Sequence, residues 1–88
     1  IGPFIETDLQ ADNLKISTRL NCEVKQKSNT SNMTHSVAKL ISYISQVMTL
    51  LPGDIVATGT PEGVGPMQVG DEVEVEIEGI GILKNTII

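Results

Sequence analysis

Large aromatic side chains are nearly missing from this 88-residue chain, which has one Phe, one Tyr and no Trp. Its core must come from small aliphatic residues, and a chain this short buries only roughly 60–65% of its unfolded surface. It is at most one small domain. The opening "IGPFIETD" from Ile1 reads as mid-protein sequence. The expectation is therefore a segment of a larger domain, or a chain that takes part of its core from a partner. Basic residues are also scarce, six Lys and Arg against eleven Asp and Glu, for a net charge of −5. With no basic cluster to neutralise phosphates, nucleic acid is excluded as an expected partner. The single cysteine, Cys22, rules out an internal disulfide and points to a reducing, cytoplasmic setting. No apolar run approaches the ~20 residues of a membrane span, and no signal-peptide pattern opens the chain, so no membrane partner is expected.

What is present is patterned. "LKISTRLNCEVKQ", residues 14–26, alternates through Leu14, Ile16, Thr18, Leu20 and Cys22, the period of a strand with one buried face. On that face Cys22 is expected to be a small core residue. "KSNTSNMTH" reads as a polar loop. From Ser36, a candidate N-cap, the period changes. Val37, Leu40, Ile41, Ile44, Val47, Met48 and Leu51 fall at helical spacing, and Pro52-Gly53 is expected to end the helix. A short strand over Asp54–Thr58, a glycine-rich loop, the alternating "EVEVEIEG" of residues 72–79 and a last strand over Ile82–Ile88 complete the pattern. The fold class is mostly β (α+β) with one amphipathic helix.

Four features could carry chemistry. Glu72, Glu74, Glu76 and Glu78 share one strand face, and Glu74-x-Glu76 sets two carboxylates side by side as a hard cation requires. Repeating charge on a sheet face is more simply a device against edge pairing, and a solvated face is expected. His35, the only histidine, has no nucleophile motif around it and reads as a loop or helix-entry residue. Cys22 has nothing nearby in sequence to activate its thiol. The fourth feature is "PGDIVATGTPEGVGP", residues 52–66. Its Gly59, Gly63 and Gly65 match neither the P-loop nor the dinucleotide fingerprint, since Pro66 and a strand follow. Thr58 and Thr60, two apart, can face one way, and the turn can hold a carboxylate on hydroxyls and backbone N–H groups. A tight strand connection explains the glycines equally well.

The whole sequence resembles the fumarylacetoacetate hydrolase superfamily, most closely the branch with acylpyruvate hydrolases and hydroxymuconate isomerase/decarboxylases. The residues that carry the resemblance are "IGPFIETD", "LKISTRLNCEVKQKSNTSNM", "LISYISQVMTLLPGDIVATGTPEGVGP", "VGDEVEVEIEGIG" and "LKNT". The resemblance implies a mixed β-roll, usually as a homodimer, of which residues 1–88 are the C-terminal segment of the catalytic domain. It implies Mg²⁺ or Mn²⁺ chelating the 2-oxo acid part of a small-molecule substrate, which polarises the oxo group and stabilises an enolate.

Residue by residue, the resemblance implies that Thr60 hydrogen-bonds the substrate carboxylate, supported by Gly59 and Pro61. Thr58, Ser28 and Asn29 are weaker substrate-side candidates. It also implies that the metal ligands, a Glu-x-Glu pair and an Asp, lie upstream of the "IGP" segment, together with a lysine and the groups that activate water. No metal ligand is therefore expected in this chain, and Glu74-x-Glu76 belongs to a scaffold strand. The segment departs from the family pattern at Cys22, where a glycine is frequent, and at Asn32, Thr34 and His35, where an acidic residue and two bulky apolar residues are common. The expected function is part of a divalent-metal-dependent enzyme that cleaves, decarboxylates or isomerises 2-oxo acids, inactive as this chain alone. The competing expectation is a truncated, non-catalytic dimerisation module.

Overall fold

The structure, a computed structural model, describes residues 2–88; Ile1, which opens the "IGPFIETD" segment, lies outside the described residues. Four strands form one antiparallel sheet. They are β1 (Lys15–Leu20), β2 (Glu23–Asn29), β3 (Glu72–Ile77) and β4 (Gly81–Thr86), in the order β2-β1-β3-β4. Helix α1 (Val37–Val47) and a 3-10 turn (Thr30–Asn32) lie between β2 and β3. The mostly β, α+β reading therefore holds. No described helix is long and apolar enough to cross a membrane.

The alternation of residues 14–26 continues through a corner, which is why a single strand is expected there and a hairpin is found. Asn21 and Cys22 both have positive φ, 50° and 68°. That is the signature of the two-residue turn whose twist matches antiparallel strands. Cys22 is accordingly exposed at the turn and is no core residue. Asn21 fastens this turn to the start of β3. Its Nδ2 donates to Asp71 Oδ1 at 3.0 Å, its Oδ1 accepts from Glu72 N at 2.9 Å, and its backbone N donates to Glu72 O at 2.8 Å. The hydrogen bond from Asn21, and then that from Gln68 N, hold the Asp71 carboxyl below its ordinary pKa.

The β1–β3 register sets Ile16, Thr18 and Leu20 opposite Ile77, Val75 and Val73, and Leu83 of β4 faces Val75. These residues make one half-buried, largely apolar face. On the other face Arg19 stands directly opposite Glu74. Its guanidinium reaches Glu76 at 3.0 Å and Glu74 at 3.4 Å, while Lys84 reaches Glu72 at 3.4 Å. The glutamate face is thus ion-paired and partly covered, where a bare solvated face was expected. Glu76 first, with Glu74, raises the Arg19 pKa above its ordinary value.

Helix α1 starts where the sequence places it, with Ser36 Oγ accepting from Lys39 N at 3.2 Å. It stops at Val47, before the expected Pro52-Gly53 boundary, because Met48 already has extended backbone. Pro52-Gly53 makes its own turn instead. Asp54 N donates to Leu51 O at 3.0 Å, and Asp54 Oδ2 accepts from Leu51 N at 2.8 Å. Val37, Leu40 and Ile44 are half-buried, whereas Ile41, Val47, Met48 and Leu51 stay exposed. The expected strand over Asp54–Thr58 does not form, since none of the described strands pairs with that stretch and a strand exists only by its ladder. The last strand ends at Thr86.

The glycine loop is nevertheless held to the sheet, at a β-bulge. Thr18 pairs with Gln26 and Arg19 with Val24, so Lys25 is the extra residue of β2. Gln26 then uses both hydrogens of its carboxamide on the loop, donating to Thr60 Oγ1 at 2.8 Å and to Pro61 O at 2.7 Å. Gly63 lies against the bulged backbone, where a Cβ would run into the Lys25 carbonyl, and its φ is +107°.

Two outcomes follow for stability. Gly63→Ala combines a clash with a left-handed backbone and should cost about 1–3 kcal/mol in denaturant unfolding. Gly65→Ala meets open space and should be near neutral. Equal behaviour of the two would show that the loop is not seated on the bulge. Gln26→Leu, losing two hydrogen bonds, should cost about 1–2 kcal/mol. Thr60→Val keeps the Pro61 bond and should cost less; the reverse ranking would reject the double bond as the fastening.

Candidate functional site

The loop fastened by Gln26 forms one side of a cleft of about 340 Å³. Thr58, Gly59, Thr60 and Pro61 line it from the loop, and Ser28 and Asn29 from the end of β2. All six substrate-side candidates of the sequence therefore meet at one place. Gly59 joins the two threonines at φ 101°, a conformation that glycine takes without strain and that lets both line the same cleft.

The hydrogen-bond inventory separates these residues. Ser28 Oγ accepts from Asn32 Nδ2 at 3.1 Å, and Asn29 Oδ1 accepts from Ser31 N at 2.9 Å. Thr30 ties the turn to β1, its Oγ1 accepting from Leu14 N at 2.9 Å and its N donating to Leu14 O at 2.8 Å. These groups build the loop. Thr60 is held from outside this turn, its oxygen accepting from Gln26, and like those hydroxyls it keeps an O–H to donate. A positioned hydroxyl donor at the edge of a cleft suits a carboxylate or carbonyl oxygen.

Residues outside the predicted set complete the walls. Ile16, Met33 and Leu40 supply apolar surface, and Asn32, Thr34 and His35 supply polar surface. The helix-entry reading of His35 is right as to place, since it precedes the N-cap Ser36, but its side chain also lines the cleft. Gln26 was missed. Its only sequence signal is that it stands two residues before Ser28 on a strand, hence on the same face.

No carboxylate lines the cleft. Glu74 and Glu76 are each engaged by Arg19 on a strand pair away from it. Among the described residues no group of three or more His, Cys, Asp or Glu could hold a metal ion. The described residues do not fit a divalent ion.

Comparison with known proteins gives the arrangement its context. The family model described as the fumarylacetoacetate (FAA) hydrolase C-terminal region matches residues 1–88. A protein from Methanocaldococcus jannaschii is 56% identical over 85 residues, 97% of this chain and 36% of that protein. The crystal structure of 2-hydroxyhepta-2,4-diene-1,7-dioate isomerase from Mycobacterium marinum is 50% identical, with a TM-score of 0.95 over 99% of this chain and 34% of that one. Maleylpyruvate hydrolase from Sphingobium sp. SYK-6, solved with manganese(II) and pyruvate, is 38% identical. Its TM-score is 0.94 over 99% of this chain and 34% of that one. The chain thus spans about a third of the length of the relatives it matches. The cleft under the Thr58–Pro61 loop sits in a sequence matched along its whole length, and the chain belongs to the fumarylacetoacetate hydrolase family.

Proposed function

We propose that this chain forms the carboxylate-holding wall of an enzyme acting on 2-oxo acids of the acylpyruvate or 2-hydroxymuconate type. The observation that carries the reading is the Thr60 hydroxyl. Gln26 fixes it as an acceptor and leaves its O–H as a donor, at the edge of a cleft that no carboxylate lines. A 2-oxo carboxylate placed there meets a hydroxyl donor in a cleft whose described lining carries no carboxylate. Thr58 offers a second hydroxyl, and Gly59 and Pro61 shape the backbone around the ligand. Two relatives support this substrate class, the maleylpyruvate hydrolase solved with pyruvate and the heptadienedioate isomerase.

The reaction types share one electronic demand. Hydrolysis of the C–C bond sends its electron pair towards the 2-oxo group as water adds to the distal carbonyl. Decarboxylation sends the pair released with CO₂ to the same group, and isomerisation moves a proton instead. In each case an enolate forms beside the carboxylate. Thr60 would hold that carboxylate still while charge builds on the adjacent oxygen.

The manganese(II) in the Sphingobium enzyme supports a divalent cofactor, Mg²⁺ or Mn²⁺, in the protein that carries this chain. The described residues do not fit it, and its ligands are proposed to lie beyond this segment. We further propose that the protein works as a cytoplasmic homodimer or assembles with the metal-binding part of its own domain. The single unpaired Cys22, on the surface, is compatible with a reducing compartment.

Thr60→Val in the intact enzyme should raise KM for a 2-oxo carboxylate substrate by the loss of one charge-assisted hydrogen bond, ~1.5–3 kcal/mol. Thr60→Ser should keep most of the affinity. An unchanged KM in the valine variant would remove Thr60 from the site, and absence of turnover in the intact protein would favour a dimerisation module. Calorimetric titration of Mn²⁺ into this 88-residue chain should show no tight binding; a stoichiometric isotherm would place the metal ligands here after all.

A further inference from the structure

We propose that His35 determines specificity at the helix-entry wall of the same cleft. It would bind a second, terminal carboxylate, so that 2-oxo acids ending in a carboxylate are preferred over those ending in a neutral group. This rests on the reading of Thr60 as the anchor of the first carboxylate.

Several observations carry it. Among the described residues, His35 is the only one lining the cleft whose side chain is ionisable. His35 itself has no hydrogen-bond or ion-pair partner among the described residues, and an imidazole donates from a ring N–H whether neutral or protonated.

Its backbone also sits at the helix entry. His35 immediately precedes Ser36, whose side chain caps α1, and Leu40 of that helix lines the same cleft. Finally, the cleft is amphipathic in the way a dicarboxylic acid requires. Ile16, Met33 and Leu40 give apolar surface for a carbon chain, while Thr58 and Thr60 on one segment and His35 on another give polar groups for its ends. The described lining places no carboxylate against a dianion in the cleft. A volume of about 340 Å³ is within the range of small-molecule sites.

The test uses the intact, metal-loaded protein that carries this chain and two probes of equal length, succinylpyruvate and the methyl ester of its terminal carboxylate. The native protein should show a lower KM for the free acid. His35→Leu should raise that KM about five- to tenfold, the effect of one exposed charge-assisted contact, and leave the KM for the ester unchanged. Unchanged ester kinetics also certify that the variant is folded. His35→Lys should restore the preference. If His35→Leu shifts both KM values together or neither, the proposal fails while the role of Thr60 stands. A native protein that does not favour the acid over the ester overturns it without reference to any variant. Failure of the native protein to process or bind either probe overturns the 2-oxo acid reading, and this inference with it.

Discussion

The carboxamide of Gln26 is the contact on which the site depends. One nitrogen donates to Thr60 Oγ1 and to Pro61 O, groups 34 and 35 residues further along the chain. The loop that contains them belongs to no strand, and it follows a stretch, Asp54–Thr58, that has no ladder of its own. Without those two bonds the Thr58–Pro61 backbone would have little to define it. With them, the loop takes its position from β2, and β2 takes its own from β1 and the rest of the sheet. The same contact bears on the chemistry, because it holds the Thr60 oxygen in place while its O–H stays available to donate.

The bulge explains how one strand serves both the sheet and the loop. Adding Lys25 to β2 lets Gln26 stay on the Thr18 face while Val24 passes to the Arg19 side. The displaced Lys25 carbonyl then meets the loop at Gly63, the one place there where a side chain has no room. Two elements separated by more than thirty residues are thereby fastened at two neighbouring points, one polar and one steric. Bulges that redirect side chains beside functional sites are a recurrent use of this irregularity.

Parts of this were legible in the sequence and parts were not, for identifiable reasons. "EVEVEIEG" has only one period and pairs on both sides, so β3 came out where expected. The start of α1 was legible because Ser36 and the apolar stripe agree. The hairpin at Asn21-Cys22 was hidden because Leu20, Cys22 and Val24 continue the alternation in the sequence, although the reversal puts Val24 on the Arg19 side. Pro52-Gly53 correctly signals a break, but the break is a turn of its own, closed by Asp54, and α1 had already ended. Thr60 could be singled out through the resemblance. Gln26 could not, since nothing local marks a glutamine whose partners lie so far along the chain. His35 was placed correctly at the helix entry, yet that it also lines the cleft depends on where the distant Thr58–Pro61 segment returns.

Charge is distributed in a way that makes an anion site feasible in an acidic chain. Of the eleven acidic residues, Glu72, Glu74 and Glu76 lie on the outer sheet face opposite Lys84 and Arg19, which pair with them. The two-residue alternation that sends those glutamates outward sends Val73, Val75 and Ile77 to the other side, where Ile16 of the cleft also lies. The edge of that inner face carries Gln26 and Ser28, which are neutral. A carboxylate approaching Thr60 therefore finds amide, hydroxyl and imidazole groups lining the cleft, and the β3 carboxylates Glu72, Glu74 and Glu76 belong to the opposite face with their cations beside them. The same strict alternation that makes the scaffold strand look like a metal motif is what keeps its negative charge away from the cleft.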